Sequence, residues 1–371
     1  MLKSLSMKYF IQTFGCQMNL ADSERIAGAY EARGYSEARS LAEADIFVIN
    51  TCSVRQSAED RVYGLGKKVK QKDKNKNFKV VLTGCVAGRA LNDKSGKQLK
   101  DLKKKMPWVD EFLSLEEVGF DYPSVRADKK HAWVPISIGC NNFCTYCVVP
   151  YSKGREVSRP FEDILKEVEQ LARIGYKEVT LLGQNVNSYG KDFEIPDQNQ
   201  KGNGSKTNFA DLLEAVCKVS GLEKVHFLTS NPQDFSEQLI DLIAREKKLD
   251  RYIHLPIQSG NDVILARMNR KYTVAQYKDL VKKIRAKIPN VEFGTDVIVG
   301  FPGETKEQFE NTVQTFKEIG FKVAYIGRYS PRPGTAAAKF FKDDVSKEEK
   351  KRRFHVLDDL VNKSRQKSKE D

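Results

Sequence analysis

The chain has 371 residues, 40% of them hydrophobic, and its 63 Lys and Arg against 50 Asp and Glu give a formal net charge of +13. That length suits two or three domains with ordinary cores, and it excludes a small disulfide-stapled scaffold. The basic balance admits a polyanionic partner such as RNA or DNA, and equally a soluble enzyme with dispersed lysines.

No run of about 18 apolar residues occurs, so no membrane span is expected. The start, MLKSLSMKYFIQ, has no signal-peptide apolar core. Seven cysteines is an odd number, and three of them crowd into one short stretch. That usage fits a reducing cytoplasm better than a disulfide framework.

The first third alternates strands and helices. KYFIQTFG (8–15) reads as a strand, followed at once by Cys16. A helix is expected from Asp22 to Arg33, with Asp22 or Ser23 as its N-cap and Gly34 as its stop. DIFVIN (45–50) is a second strand with Cys52 just beyond it, and a helix is expected over Ser57–Lys70. FKVVLT (78–83) is a third strand, ending at Gly84-Cys85. One cysteine therefore follows each strand of a β-α-β-α-β series. In parallel α/β sheets the carboxyl ends of strands line one ligand crevice, so Cys16, Cys52 and Cys85 are expected to meet. Taken singly, each also reads as core filler.

Lysines are dense over 67–79 and 94–105, on either side of Cys85. They fit a solvated helix face or a phosphate-binding surface. The polar run GFDYPSVRADKK (119–130) reads as the linker between domains.

AWVPISI (132–138) is the next strand and leads into GCNNFCTYC. Cys140, Cys144 and Cys147 form a C-x3-C-x2-C triad. Iron–sulfur clusters and structural zinc sites normally take four protein ligands. Three thiolates and no nearby fourth leave one metal corner open, as a reactive centre requires. A zinc knuckle or a set of buried thiols stays open as an alternative. Lys153, Arg155 and Arg159 follow and are placed to offset thiolate charge or to meet phosphate.

From there the period repeats. Helices are expected at 160–174, 209–219, 235–245, 273–287 and 305–319. Strands are expected at 177–182, 224–229, 252–256, 291–299 and 323–330. Six strands alternating with helices predict a parallel α/β barrel or part-barrel, with function at the strands' carboxyl ends. The polar segments GQNVN, SNP, QSG and GFPGE all follow strands. They offer Gln184, Asn185, Ser230, Asn231, Gln258, Ser259, Gly300 and Glu304 to a cofactor. The loop 187–208 is long enough to be a substrate-facing lid. Cys217 borders the stripe Phe209, Leu212, Leu213 and Val216 and reads as core. His226 and His254 sit within strands and read as structural. Residues 342–371 form a charged helix with a narrow stripe of Phe354, Leu357, Leu360 and Val361.

The triad, with an aromatic before its last cysteine, resembles the radical S-adenosylmethionine (SAM) enzymes. FGCQMNLADSE, INTCSV and LTGC resemble the N-terminal domain of the methylthiotransferase family within them. CTYCVVPYSKGREVSRP, LLGQNVNSYG, LPIQSG, MNRKYT, VGFPGET and YSPRPGTAAA extend the likeness over nearly the whole chain.

The resemblance implies three parts. Residues 1–127 would be the methylthiotransferase domain, with an auxiliary 4Fe-4S cluster on Cys16, Cys52 and Cys85. Residues 128–341 would be a radical-SAM (βα)6 part-barrel, with a second 4Fe-4S cluster on Cys140, Cys144 and Cys147. Residues 342–371 would be a helix packed on that core. The small RNA-binding β-barrel that usually ends the family is expected to be absent.

The implied activity is addition of a methylthio group to carbon 2 of isopentenyladenosine, next to the anticodon in tRNA. It would use two molecules of SAM, a flavodoxin-type one-electron donor and a sulfur source. GCQMN with CTYCVVPY looks most like this tRNA branch. Branches acting on threonylcarbamoyladenosine or on a ribosomal-protein aspartate are similar. A zinc-stabilised RNA-binding module is the alternative from another class.

Overall fold

The computed structural model describes residues 7–53, 56–67, 69, 78–115, 122–194 and 207–370. The chain divides into two compact units, Met1–Asn141 with Val148–Glu156, and Asn142–Cys147 with Val157–Asp371.

The first unit is built on a parallel sheet. Its long strands are β1 (Lys8–Phe14), β2 (Ile46–Thr51) and β3 (Lys79–Gly84), with β2 in the middle. Two-residue strands, Ser36–Glu37 and Glu111–Phe112, close the edges beside β1 and β3. Every residue of β2 is buried, as expected for a parallel strand covered on both faces. Its side chains alternate between two cores. Phe47 and Ile49 pack with Val80, Leu82 and Val86, while Ile46 and Val48 pack with Tyr9, Ile26 and Val81. Helices α1 (Gln17–Ala32), α2 (Gln56–Tyr63), α3 (Cys85–Leu91) and α4 (Lys97–Lys105) follow the strands. The strand β4 (His131–Pro135) and a short helix, α5 (Val149–Ser152), also belong to this unit.

Two local expectations change. Helix α1 starts five residues before Asp22, with Cys16 as its N-cap and Asn19 bonded back to the Cys16 N–H. Asp22 and Ser23 look like caps in sequence but face inward. Asp22 is fully buried, and Ser23 bonds Thr13 and Asn50. The expected linker is also fastened. Glu24 accepts from Arg126 and from the Ala127 N–H, and its carbonyl accepts from the Val125 N–H. Gly28 lets the segment lie close, since a Cβ there would stand 1.9 Å from the Pro123 oxygen. Residues 119–121 of that stretch lie outside the described residues, as do most of the 67–79 lysine run and 195–206 of the long loop.

In the second unit, helices and parallel strands alternate. β5 (Glu178–Leu182) pairs with β6 (Lys224–Phe227), and β7 (Tyr252–His254), β8 (Glu292–Val299) and β9 (Val323–Arg328) lie in that order. The expected α/β class and parallel strand series are present. The helices are α6 (Phe161–Arg173), α7 (Phe209–Cys217), α8 (Glu237–Arg245), α9 (Asp262–Arg267), α10 (Val274–Lys287), α11 (Lys306–Ile319), α12 (Ala336–Phe340) and α13 (Lys347–Glu370).

Asn208, Ser236, Asn261, Thr273, Thr305 and Thr335 each accept an early N–H at the start of one of these helices. Each such cap contributes about 1 kcal/mol. Cys217 is buried in α7, where burial pushes its thiol up to about 12. Leu357 and Val361 are buried on α13, so that helix packs through the expected stripe. No helix among the described residues is long and apolar enough to cross a membrane.

Candidate active site

The register of the first sheet sets the N-terminal thiol site. Phe14 lies level with Thr51, and Thr51 with Gly84. Cys16, Cys52 and Cys85 therefore leave neighbouring strands at the same edge. Parallel strands lie about 4.8 Å apart. The Cys52 and Cys85 thiols are buried and hydrogen-bonded to each other. That bond, and then burial, hold the Cys85 thiol well above its usual range. Cys16 is exposed and bonds Asn19 Oδ1 at 3.4 Å.

Buried amides tie the elements together. Asn19 Nδ2 donates to Asn50 Oδ1 at 3.1 Å, and Asn50 Nδ2 donates to the Asn19 carbonyl at 2.8 Å. Gly84, at φ +87°, is required here. A Cβ would stand 2.4 Å from Asn50 Oδ1 and 2.5 Å from the Thr51 carbonyl. Beside the thiols, Ser53 Oγ and Thr83 Oγ1 are buried with no hydrogen-bond partner. Such orphans call for a guest. Three sulfur donors at one edge, with two unsatisfied hydroxyls beside them, fit a cluster that takes three thiolates and offers sulfide acceptors.

The second cysteine set lies on one loop. Cys140 and Cys144 are buried, and Cys147 is half-buried. Gly139 adopts φ +81° and passes so close to the Arg155 carbonyl that a Cβ would stand 2.0 Å from it. Phe143 is left-handed at φ +48°, and Asn269 Nδ2 holds its carbonyl at 3.0 Å. Thr145 bonds the Met268 and Arg267 carbonyls.

Arg270 is the cation at this loop. Its Nη1 donates to Cys144 Sγ at 3.4 Å, its Nη2 to Asn231 Oδ1 at 2.9 Å and its Nε to the Tyr272 hydroxyl at 3.1 Å. Tyr146 is half-buried against Phe301, and desolvation there pushes its hydroxyl well above the usual range. A cation fixed on a thiolate sulfur fits an anionic iron–sulfur centre.

The cofactor candidates divide. Ser230 Oγ donates to the His254 carbonyl, Asn231 accepts from Arg270, and Ser259 Oγ accepts the Asn261 N–H. Asn185 keeps one buried oxygen without a partner, while its nitrogen donates to Asp234 at 2.7 Å. Gln258 is half-buried and left-handed at φ +63°, and Gln184 is half-buried.

Glu304 is buried and bonded to Arg353 Nη1 at 2.6 Å and to the Gly300 N–H at 2.6 Å, so it ties α13 to the loop after β8. The three cations expected to offset thiolate charge or meet phosphate differ in setting. Lys153 is buried on Asp22, and Arg159 is paired with Glu167 at 2.8 Å. Of the three, Arg155 alone is exposed.

Among the described residues, no group of three or more His, Cys, Asp or Glu side chains is arranged to hold a single metal ion.

Residues 134–316 match the Radical SAM superfamily, and residues 8–113 match Uncharacterized protein family UPF0004. A tRNA-2-methylthio-N(6)-dimethylallyladenosine synthase of Thermotoga petrophila is 43% identical over 371 residues, covering 95% of this chain and 81% of that protein. The chain belongs to the family of these synthases.

A second member of the synthase family, from Dictyoglomus thermophilum, is 44% identical, covering 96% of this chain and 83% of that protein. The fold is also that of the radical SAM methyltransferase TsrM from Kitasatospora setae. The TM-score there is 0.58 at 14% identity, covering 90% of this chain and 77% of that one.

Sequence reasoning missed Arg270, although the motif MNRKYT that carries it stood out. It also missed Asn19, Asn50 and Asp22, which look like helix caps or strand ends. Asn50, at the end of an otherwise apolar strand, was the available signal.

Proposed function

We propose that this chain adds a methylthio group to carbon 2 of isopentenyladenosine next to the anticodon in tRNA, as a cytoplasmic enzyme. One observation carries the reading: two separate three-cysteine sites in a chain of the synthase family. The relatives' names favour this nucleoside over threonylcarbamoyladenosine and over a ribosomal-protein aspartate.

Cys16, Cys52 and Cys85 hold one 4Fe-4S cluster, and Cys140, Cys144 and Cys147 hold the other. When bound, the clusters and two molecules of SAM supply the reducing electron, the radical, the transferred sulfur and the methyl group. The chain's own residues do the rest. Arg270 fixes the Cys144 sulfur and offsets its charge. Tyr146 and Phe301 keep water from the triad loop. Gln184, Asn185 and Gln258 orient SAM, with Ser230, Asn231, Ser259 and Gly300 as walls. Arg155 meets tRNA phosphate. An external one-electron donor of the flavodoxin type and a sulfur source complete the cycle.

Anaerobic analysis is expected to find about eight iron and eight sulfide per chain, two four-iron clusters. A reproducible four overturns the two-cluster reading. Colourless protein carrying zinc, with no reductive cleavage of SAM, would instead establish the zinc-stabilised RNA-binding module. In tRNA from a deletion strain, mass spectrometry is expected to find no 2-methylthio-isopentenyladenosine. Its persistence there overturns the substrate.

A further inference from the structure

Lys153 is 6% exposed, and its ammonium lies 2.8 Å from Asp22. Lysine is almost never buried without an anion. Asp22, fully buried, is already paired with Arg25 at 2.6 Å. A second buried cation on one carboxylate points to a further negative charge.

The packing shows where that charge sits. Lys153 follows α5, and the carbonyl of Ser152 rests so close to α3 that a Cβ on Gly88 would stand 2.2 Å from it. Gly88 lies one turn along α3 from Cys85, the first residue of that helix. On the other side, Asp22 belongs to α1, whose N-cap is Cys16. Lys153 thus joins the two helices that begin at two of the three cysteines. Asp22 is also the group that does most to hold its ammonium charged against burial.

We propose that Lys153 is a positioning residue for the N-terminal cluster: clamped by Asp22, its fixed charge offsets the cluster's negative charge and raises its reduction potential. The inference rests on the cluster assignment above. Three thiolates outweigh the two positive charges of an oxidised four-iron core, and reduction adds another negative charge. A fixed cation therefore favours the reduced form, since net charge is one of the terms that set cluster potentials.

The test uses the full chain with Cys140→Ala, Cys144→Ala and Cys147→Ala, leaving only the N-terminal site. About four iron per chain in this parent is expected on the family's pattern. Their absence would sink the cluster assignment, and this inference with it. In the parent, Lys153→Met is expected to move the midpoint of an EPR-monitored redox titration to more negative potential. Lys153→Arg is expected to keep it. An unchanged midpoint in Lys153→Met at full iron content overturns the proposal and leaves a purely structural ion pair. If Lys153→Met does not fold, Asp22→Asn is compared with Asp22→Asn/Lys153→Met, which removes both charges of the pair. The double variant is expected to titrate at the more negative potential, and equal midpoints overturn the proposal.

Discussion

Replacing Arg353 by Met tests how α13 is held. Arg353 Nη1 lies 2.6 Å from Glu304 Oε2 and 3.0 Å from the Glu304 carbonyl, and its Nε lies 2.8 Å from Glu349. Both members of the Arg353–Glu304 pair are buried, at 2% and 4% exposure. Removing one partner strands the other charge, which costs about 3–5 kcal/mol. In a unit of this size each kcal/mol moves Tm by about 2–4 °C, so the loss should be on the order of 10 °C.

The pH dependence has a definite sign. Burial already pushes the Glu304 carboxyl above its usual range, although the Gly300 N–H and Arg353 pull it down. Without Arg353 it rises further. A carboxyl that holds its proton more tightly when folded lowers stability as pH rises from its unfolded value through its folded one. The Arg353→Met deficit should therefore be larger at mildly alkaline than at mildly acidic pH. Adding Glu304→Gln should recover most of it and flatten the profile. Denaturant titrations at the two pH values decide the matter. A deficit below about 1 kcal/mol, or one equal at both pH values, refutes the buried-charge account.

Cys52→Ala should halve the iron content and abolish tRNA methylthiolation, while reductive cleavage of SAM by the triad site persists in a 5′-deoxyadenosine assay. Arg270→Leu should cut that cleavage by roughly 10–100-fold, the usual cost of losing an outer-shell partner of a metal ligand. Full cleavage at full iron content would contradict the role given to its bond with Cys144. Lys100→Glu with Lys104→Glu, on the exposed face of α4, should weaken tRNA binding. The slope of log affinity against log salt should fall by about 1 for each phosphate that is no longer neutralised, as filter binding would show.

The strand–helix alternation was legible because it rests on local signals. A run such as DIFVIN carries its own burial, and each strand's length fixes where the next cysteine falls. The level register of Phe14, Thr51 and Gly84 follows from that regularity. The start of α1 was not legible. Cys16 is a weak-looking cap, and Asp22–Ser23 looks like a strong one. Whether a carboxylate faces water or a lysine depends on a residue 131 positions away. Arg270 was hidden in the same way, 126 positions from the sulfur it bonds.

These misses share a cause, which extends the reading. Glu304, Asp22 and Lys153 are charged residues placed from sequence at a rim, a helix cap and a loop, and all three are buried. Burial of a charge is enforced only by its partner, and partners lie far apart in sequence. The apolar pattern therefore reports where the sheets are, while the buried charges report what the sheets were built to hold. In the first unit the apolar pattern brings three thiols to one edge. The ion group Asp22, Arg25 and Lys153 then adds a net positive charge at the helices that carry two of them, the sign that the proposed anionic cluster needs.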